Sequence, residues 1–336
     1  MRRITRASVA AALLGLVAAV LQFGPAASAQ SASCADPVSS APAGPATVST
    51  ASTPYGKVLV VGSGAYAGCS LYLLTSDQLH ALTGSAYACG DAPNAIGAPC
   101  DTVLWPALLT KGAPIAGAGV DKKLLGTVTR TDLPGVGAVQ QVTYNGLPLY
   151  RFVFDDDPGD TQGANLFDPV TSTTGTWYLV EPSRGNPAPG PAQLRLETAP
   201  VGHGGSTSAT VLAARMNNDF TDLFPDASFP VYTRSPRHGF WKGPHWGACG
   251  MLCEQYWQPV LTSGKPQAGA GVDQHAVGMM KRPDGTAQVT YKGRPLYLFS
   301  GDAYIAGLPY NGGTASINGA DAHTIWGTFN TTPPLS

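Results

Sequence analysis

The chain writes one aromatic string twice, VTYNGLPLYRFVFD from Val142 to Asp155 and VTYKGRPLYLFSGD from Val289 to Asp302, at an offset of 147 positions. The order around the string repeats as well. Trp105-Pro106 stands before AGAGVD at 116–121, and Trp257 with Pro259 stands before AGAGVD at 268–273, with the same spacing of 11 from tryptophan to first alanine. A cysteine pair precedes each tryptophan (Cys89 and Cys100; Cys249 and Cys253), and a late tryptophan closes each copy (Trp177, Trp326). Shared order of this kind is an internal duplication, so the fold must be a unit that can be built twice.

The string itself predicts a hairpin. Asn145-Gly146 is a strong two-residue turn signal, because both residues tolerate positive φ; Lys292-Gly293 keeps only the glycine. Pro148 and Pro295 lack an N–H and belong at a strand start or an edge. Alternation then puts Tyr150 and Phe152 on one strand face, and Tyr297 and Phe299 on the equivalent one. Asp155 and Asp302 fall at the following turn. A weaker half-repeat lies upstream: LYLLTSD (71–77) resembles LYRFVFD, and VYTRSPR (231–237) keeps the tyrosine but lacks the aromatic and the aspartate.

Glycine (41) and proline (29) are abundant, and no amphipathic helix of ordinary length is evident. These features predict an all-β chain of two homologous modules built from twisted β-hairpins, sandwich- or barrel-like, with few helices. The expected organisation is a signal peptide (1–29), a Ser/Ala/Pro-rich flexible leader (30–53), module 1 (54–182), a Pro/Gly linker (183–195) and module 2 (196–336). Basic Arg2, Arg3 and Arg6, an apolar run from Val9 to Val20 and Ala27-Ser28-Ala29 carry the signal-peptide reading. No later run suits a membrane span. The expected location is therefore extracellular, with envelope association as a further expectation.

Charged residues make up 12% of the chain, and the formal net charge is −1. No lysine/arginine cluster is present, which argues against nucleic acid as a partner. Six cysteines in an oxidising compartment predict disulfides, with Cys89/Cys100, Cys249/Cys253 and Cys34/Cys69 as the candidate pairs. Cys34 has a poor context for lipid attachment, since the apolar run ends well before it.

Three features could carry chemistry. The aromatic-aspartate sets Tyr150, Phe152, Asp155 and Tyr297, Phe299, Asp302 could stack and hydrogen-bond a ligand, although duplication favours a structural role. The acidic loop DDDPGD (155–160) offers oxygens to calcium without the alternating spacing of a dedicated loop. His238, His245, Cys249, Met251 and Cys253 offer soft ligands that suit copper. No cofactor is expected on the leading reading. Esterase-elbow, zincin, Walker and dinucleotide-binding motifs are missing, so the chain leans away from an enzyme.

The cysteine pair, Trp-Pro, GxGV, QVTYxGxPLYxF and a Y-x-[FWY]-x-x-D element together resemble a bacterial secreted repeat family, often predicted lipoproteins, of uncharacterised function. Tyr150, Phe152 and Asp155 match the last element, as do Tyr297, Phe299 and Asp302; Tyr72 and Asp77 match it except at Leu74. The resemblance implies a secreted β-repeat architecture and supplies no reaction. The expected function is a non-catalytic binding or surface protein whose partner is an envelope polymer or another surface protein. The alternative is an extracellular copper or redox protein using the His238–Cys253 region.

Overall fold

Each module opens with a long hairpin whose first strand also pairs, in parallel, with the AGAGVD segment. In the computed structural model, Thr47–Thr53 pairs antiparallel with Gly56–Val61, and its start pairs parallel with Ile115–Ala116. In the second copy Gln193–Val201 pairs with Thr207–Arg215, and its start pairs with Gln267–Ala268. The structure describes residues 34–35, 43–84, 87–90, 100–133, 137–168, 175–201, 207–215, 228–234, 251–254, 256–300 and 326–328. The repeated glycines have a steric cause. A Cβ on Gly117 would sit 2.8 Å from the Val48 carbonyl oxygen, and one on Gly269 would sit 2.9 Å from that of Leu194.

The repeated VTY string forms the third strand set in each copy. Leu125–Arg130, Val139–Tyr144 and Leu147–Pro148 make one antiparallel meander, and Val277–Lys281, Ala287–Tyr291 and Arg294–Pro295 make the other. Both hairpins turn through two positive-φ residues, Asn145 (49°) with Gly146 (80°) and Lys292 (49°) with Gly293 (74°). The lysine therefore adopts the same turn without the asparagine, because pairing on both sides fixes the register.

A fourth strand set completes each module: Tyr72–Leu74 against Gly175–Val180, and Tyr232–Arg234 against Trp326–Thr328. Tyr232–Arg234 of the degenerate VYTRSPR segment thus occupies the place of Tyr72–Leu74 in the second copy. The architecture is all-β; among the described residues the helices are short and lie at Asp77–Thr83, Cys100–Val103 and Met251–Glu254. The described sheets are open, and none closes into a barrel.

Two stretches expected to be loose are ordered in part. Thr47–Thr53 of the leader is a strand, since its β-branched residues pair along the whole of Gly56–Val61. Within the Pro/Gly linker, Pro187–Ala188 pairs with Gly175–Val180, and Gln193 already begins the next long strand. Proline fits there because this two-residue strand ends its sheet. Segment 1–29 lies outside the described residues.

Cys34 is bonded to Cys69 and Cys89 to Cys100; among the described residues no cysteine is free. A sulfur already committed to Cys69 cannot also carry a lipid thioether. Both modules belong to one compact unit, Ala32–Ser336. They exchange core residues: Phe167 packs edge-on against Phe229 (centroids 5.0 Å) within the second module's core, while Leu261 packs into the first module's.

Candidate functional site

The aromatic strings become two matching clusters. In module 1, Tyr72 meets Trp105 edge-on at 5.4 Å and Phe152 at 6.3 Å, while Phe152 stacks on Trp105 at 4.2 Å. In module 2, Tyr232 meets Trp257 edge-on at 5.4 Å and Phe299 at 6.3 Å, while Phe299 stacks on Trp257 at 4.3 Å. Each such pair is worth about 0.5–1.5 kcal/mol beyond its buried area. Tyr150 (0% exposed) and Phe152 (1%) are wholly enclosed; Tyr297 is buried and Phe299 half-buried. In module 1 the ring faces are covered by other side chains, leaving no platform for a ligand. Asp302 lies outside the described residues.

Asp155 is drawn inward, away from the acidic loop. Its Oδ2 accepts from the Tyr72 hydroxyl at 2.7 Å, and its Oδ1 accepts from the Gln162 N–H at 2.8 Å. Asp77 accepts from the Tyr150 hydroxyl at 2.9 Å and from the Ala88 N–H at 2.9 Å. Burial is the main force on both carboxyls, pushing Asp155 up to about 7 and Asp77 up to about 6 against the pull of these donors. The two tyrosines are raised well above the phenolic range, first by burial and then by the neighbouring carboxylates.

A buried arginine is repeated in the same geometry. Arg130 donates through Nη1 to Gln141 Oε1 (2.5 Å), and Gln141 Nε2 donates to the Leu149 carbonyl (2.9 Å). Arg282 donates through Nη1 to Gln288 Oε1 (3.2 Å), and Gln288 Nε2 donates to the Leu296 carbonyl (2.7 Å). Each Nε reaches the aspartate two residues on, Asp132 (2.7 Å) and Asp284 (3.2 Å). Burial works against the Arg130 charge, and its bonds to Asp132 more than offset that, holding it above the ordinary guanidinium value. The motif reading singled out neither arginine. The signal is present as R-x-D in both copies and as the glutamine before VTY.

These elements coincide with a recognisable unit. Residues 127–180 and 278–305 match a secreted repeat of unknown function. The secreted repeat takes in Arg130, Gln141, Tyr150, Asp155 and Trp177 in the first match, and Arg282, Gln288, Tyr297 and Phe299 in the second. It agrees with the resemblance carried by the motifs and covers a minority of the chain. No curated protein and no solved structure matches the chain. Among the described residues no helix is long and apolar enough to cross a membrane.

Of the copper candidates, His238, His245 and Cys249 lie outside the described residues. Met251 and Cys253 sit in the helix Met251–Glu254, and Cys253 is disulfide-bonded, so it offers no thiolate to a metal. In the DDDPGD loop Asp160 accepts from the Asp157 N–H (2.9 Å), and Gly159 N–H donates to the Gly68 carbonyl (3.1 Å), tying the loop down. Among the described residues no group of three or more His, Cys, Asp or Glu side chains converges as a metal site would.

The structure does open a cleft that no motif indicated. It lies on the seam between the modules, with a volume near 290 Å³, and both modules line it. Thr75 donates to Gln258 Oε1 across the seam (2.7 Å), and Asn186 Nδ2 donates to the Asp284 carbonyl (3.2 Å). At its module 2 side Arg282 binds Glu254 at 2.7 Å as well as Asp284. Burial works to raise the Asp284 carboxyl, yet the Thr286 hydroxyl and N–H, with Arg282, hold it below the usual range. Gln78 and Leu79, in the first turn of Asp77–Thr83, also line it, as does Asn145.

Proposed function

We propose that this chain is a secreted, non-catalytic binding protein whose ligand enters the cleft between its two modules. The cleft itself carries the reading: a recess on a seam fixed by exchanged core residues, lined by hydrogen-bonding and apolar side chains from both repeats. Rigid walls reduce the ordering cost of binding. The hydroxyl of Thr75 in its wall donates to an amide oxygen and has the geometry of a tie, not of a nucleophile beside a base. Secretion is supported by the secreted-repeat match, by the disulfides and by the signal-like N-terminal segment. The partner follows from location: a polymer of the cell envelope or another surface protein.

The test is retention of the chain lacking residues 1–29 on a purified envelope fraction, with intact disulfides. Saturable retention is the expected result. Passage through every envelope fraction without retention contradicts the proposal.

A further inference from the structure

We infer that the cleft takes an uncharged polyhydroxylated ligand, a short segment of a neutral glycan; this rests on the binding reading above and names its ligand class. Charge decides first. The charged residues among those described in the lining are Glu254, Arg282 and Asp284, one cation between two carboxylates. The guanidinium is already engaged, by Glu254 at 2.7 Å and by Asp284 and Gln288 at 3.2 Å each. A phosphate- or carboxylate-bearing polymer would meet an excess negative charge in a recess of reduced dielectric. The same excess attracts a cationic peptide only weakly, because both carboxylates already hold Arg282 and Asp284 is half exposed to solvent.

Hydrogen-bonding type decides next. Gln78, Asn145, Asn186 and Gln258 put four amides on the lining. Gln258 is buried and spends its amide on Thr75 and the Glu254 carbonyl, and Asn186 donates to the Asp284 carbonyl. Among the described residues no such bond is seen for the side chains of Gln78 and Asn145. An amide is both donor and acceptor, as a sugar hydroxyl is. Leu79, Leu147, Pro187 and Pro259 supply apolar surface between the amides, suited to the C–H faces of a pyranose ring. The volume, near 290 Å³, falls just under the roughly 300–1,000 Å³ that ligand clefts span, which restricts the enclosed segment to very few rings.

The experiment is saturation-transfer NMR on the disulfide-intact chain lacking residues 1–29. The probes are neutral gluco-, manno- and galacto-oligosaccharides, with a glycerol-phosphate oligomer and a lysine-rich peptide as charged comparators. Gln78→Trp fills the cleft, and Asn186→Ala removes an amide together with its bond to the Asp284 carbonyl, so the melting temperature of each variant is measured beside its affinity. At least one neutral oligosaccharide should bind, compete with envelope retention, and lose affinity tenfold or more in both variants that fold. Binding of only a charged comparator, an absence of neutral binding, or neutral binding unchanged in Asn186→Ala overturns the inference. Should the wild-type chain be retained on envelope material while no neutral oligosaccharide binds, the ligand class falls and the binding function stands. Should nothing retain it, the binding function falls too.

Discussion

Tyr72 and Tyr150 face each other across an antiparallel bridge, exchanging backbone hydrogen bonds of 2.9 and 3.0 Å, and each hydroxyl reaches the aspartate that follows the other. Tyr72 thus holds Asp155, and Tyr150 holds Asp77. The half-repeats LYLLTSD and LYRFVFD are locked to one another by a crossed pair of phenol–carboxyl bonds, which explains why tyrosine and aspartate recur together at a fixed spacing. The aspartates fix elements to one another; they are not exposed ligands.

The crossed bonds predict a coupling energy. Tyr72→Phe should lower stability by about 1–3 kcal/mol, since Asp155 loses a donor while remaining buried. Asp155→Ala should cost at least as much, because the Tyr72 hydroxyl is then left without its acceptor. Denaturant unfolding of both single variants and the double variant should give a coupling of roughly 0.5–3 kcal/mol. Strict additivity would show that the bond does not hold the half-repeats together.

Stability should fall as pH rises. Asp155 at about 7 and Asp77 at about 6 lie above the unfolded carboxyl value of 3.8, so the folded state binds more protons. Their contribution is therefore fully present below about pH 4 and is lost as pH rises through 6 and 7. With about 1.4 kcal/mol per tenfold change in proton affinity, the pair should remove on the order of several kcal/mol across that window. Thermal melts from pH 4 to pH 8 check this, and a flatter profile is expected for Asp155→Asn.

The two buried arginines should differ in cost. Arg130 has a side chain at 0% exposure and also donates to the Cys89 carbonyl at 2.6 Å, whereas Arg282 is at 7% with its partner Asp284 at 49%. Arg130→Met should cost about 3–5 kcal/mol, as expected when one member of a buried ionic network is removed. Arg282→Met should cost less, about 2 kcal/mol, in line with hydrogen bonds to charged groups nearer solvent. Equal losses in chemical unfolding would contradict the difference in burial.

Opening the disulfides should cost more for the longer loop, with a logarithmic dependence on its length. Removing Cys89–Cys100, at a separation of 11, should cost about 3 kcal/mol, and removing Cys34–Cys69, at 35, about 4 kcal/mol. Intact mass of the secreted chain should show Cys34 without a lipid. A mass increase matching an acylated N-terminal cysteine would contradict the Cys34–Cys69 bridge.

Much of the fold was legible because turn chemistry is local. Asn145-Gly146, Pro148 and the alternation of Tyr150 and Phe152 specify a hairpin without help from the rest of the chain. The leader strand was not legible, since TVSTAST becomes a strand only by pairing with GKVLVV and by parallel contact with Ile115–Ala116. Arg130 and Arg282 were legible in principle, as R-x-D at equivalent places, yet a lone arginine in a polar strand end gives no hint of burial. The cleft was not legible at all. Its walls come from Gln78, Asn145, Asn186, Glu254 and Arg282, which only the docking of the modules brings together.

The most direct measurement is envelope retention and melting temperature determined side by side for Tyr72→Phe and Gln78→Trp. If the repeated motif builds the core and the seam holds the ligand, Tyr72→Phe melts several degrees lower with unchanged retention. Gln78→Trp then keeps its melting temperature and loses retention. Loss of retention in a Tyr72→Phe protein of normal stability, with Gln78→Trp fully retained, would contradict both assignments.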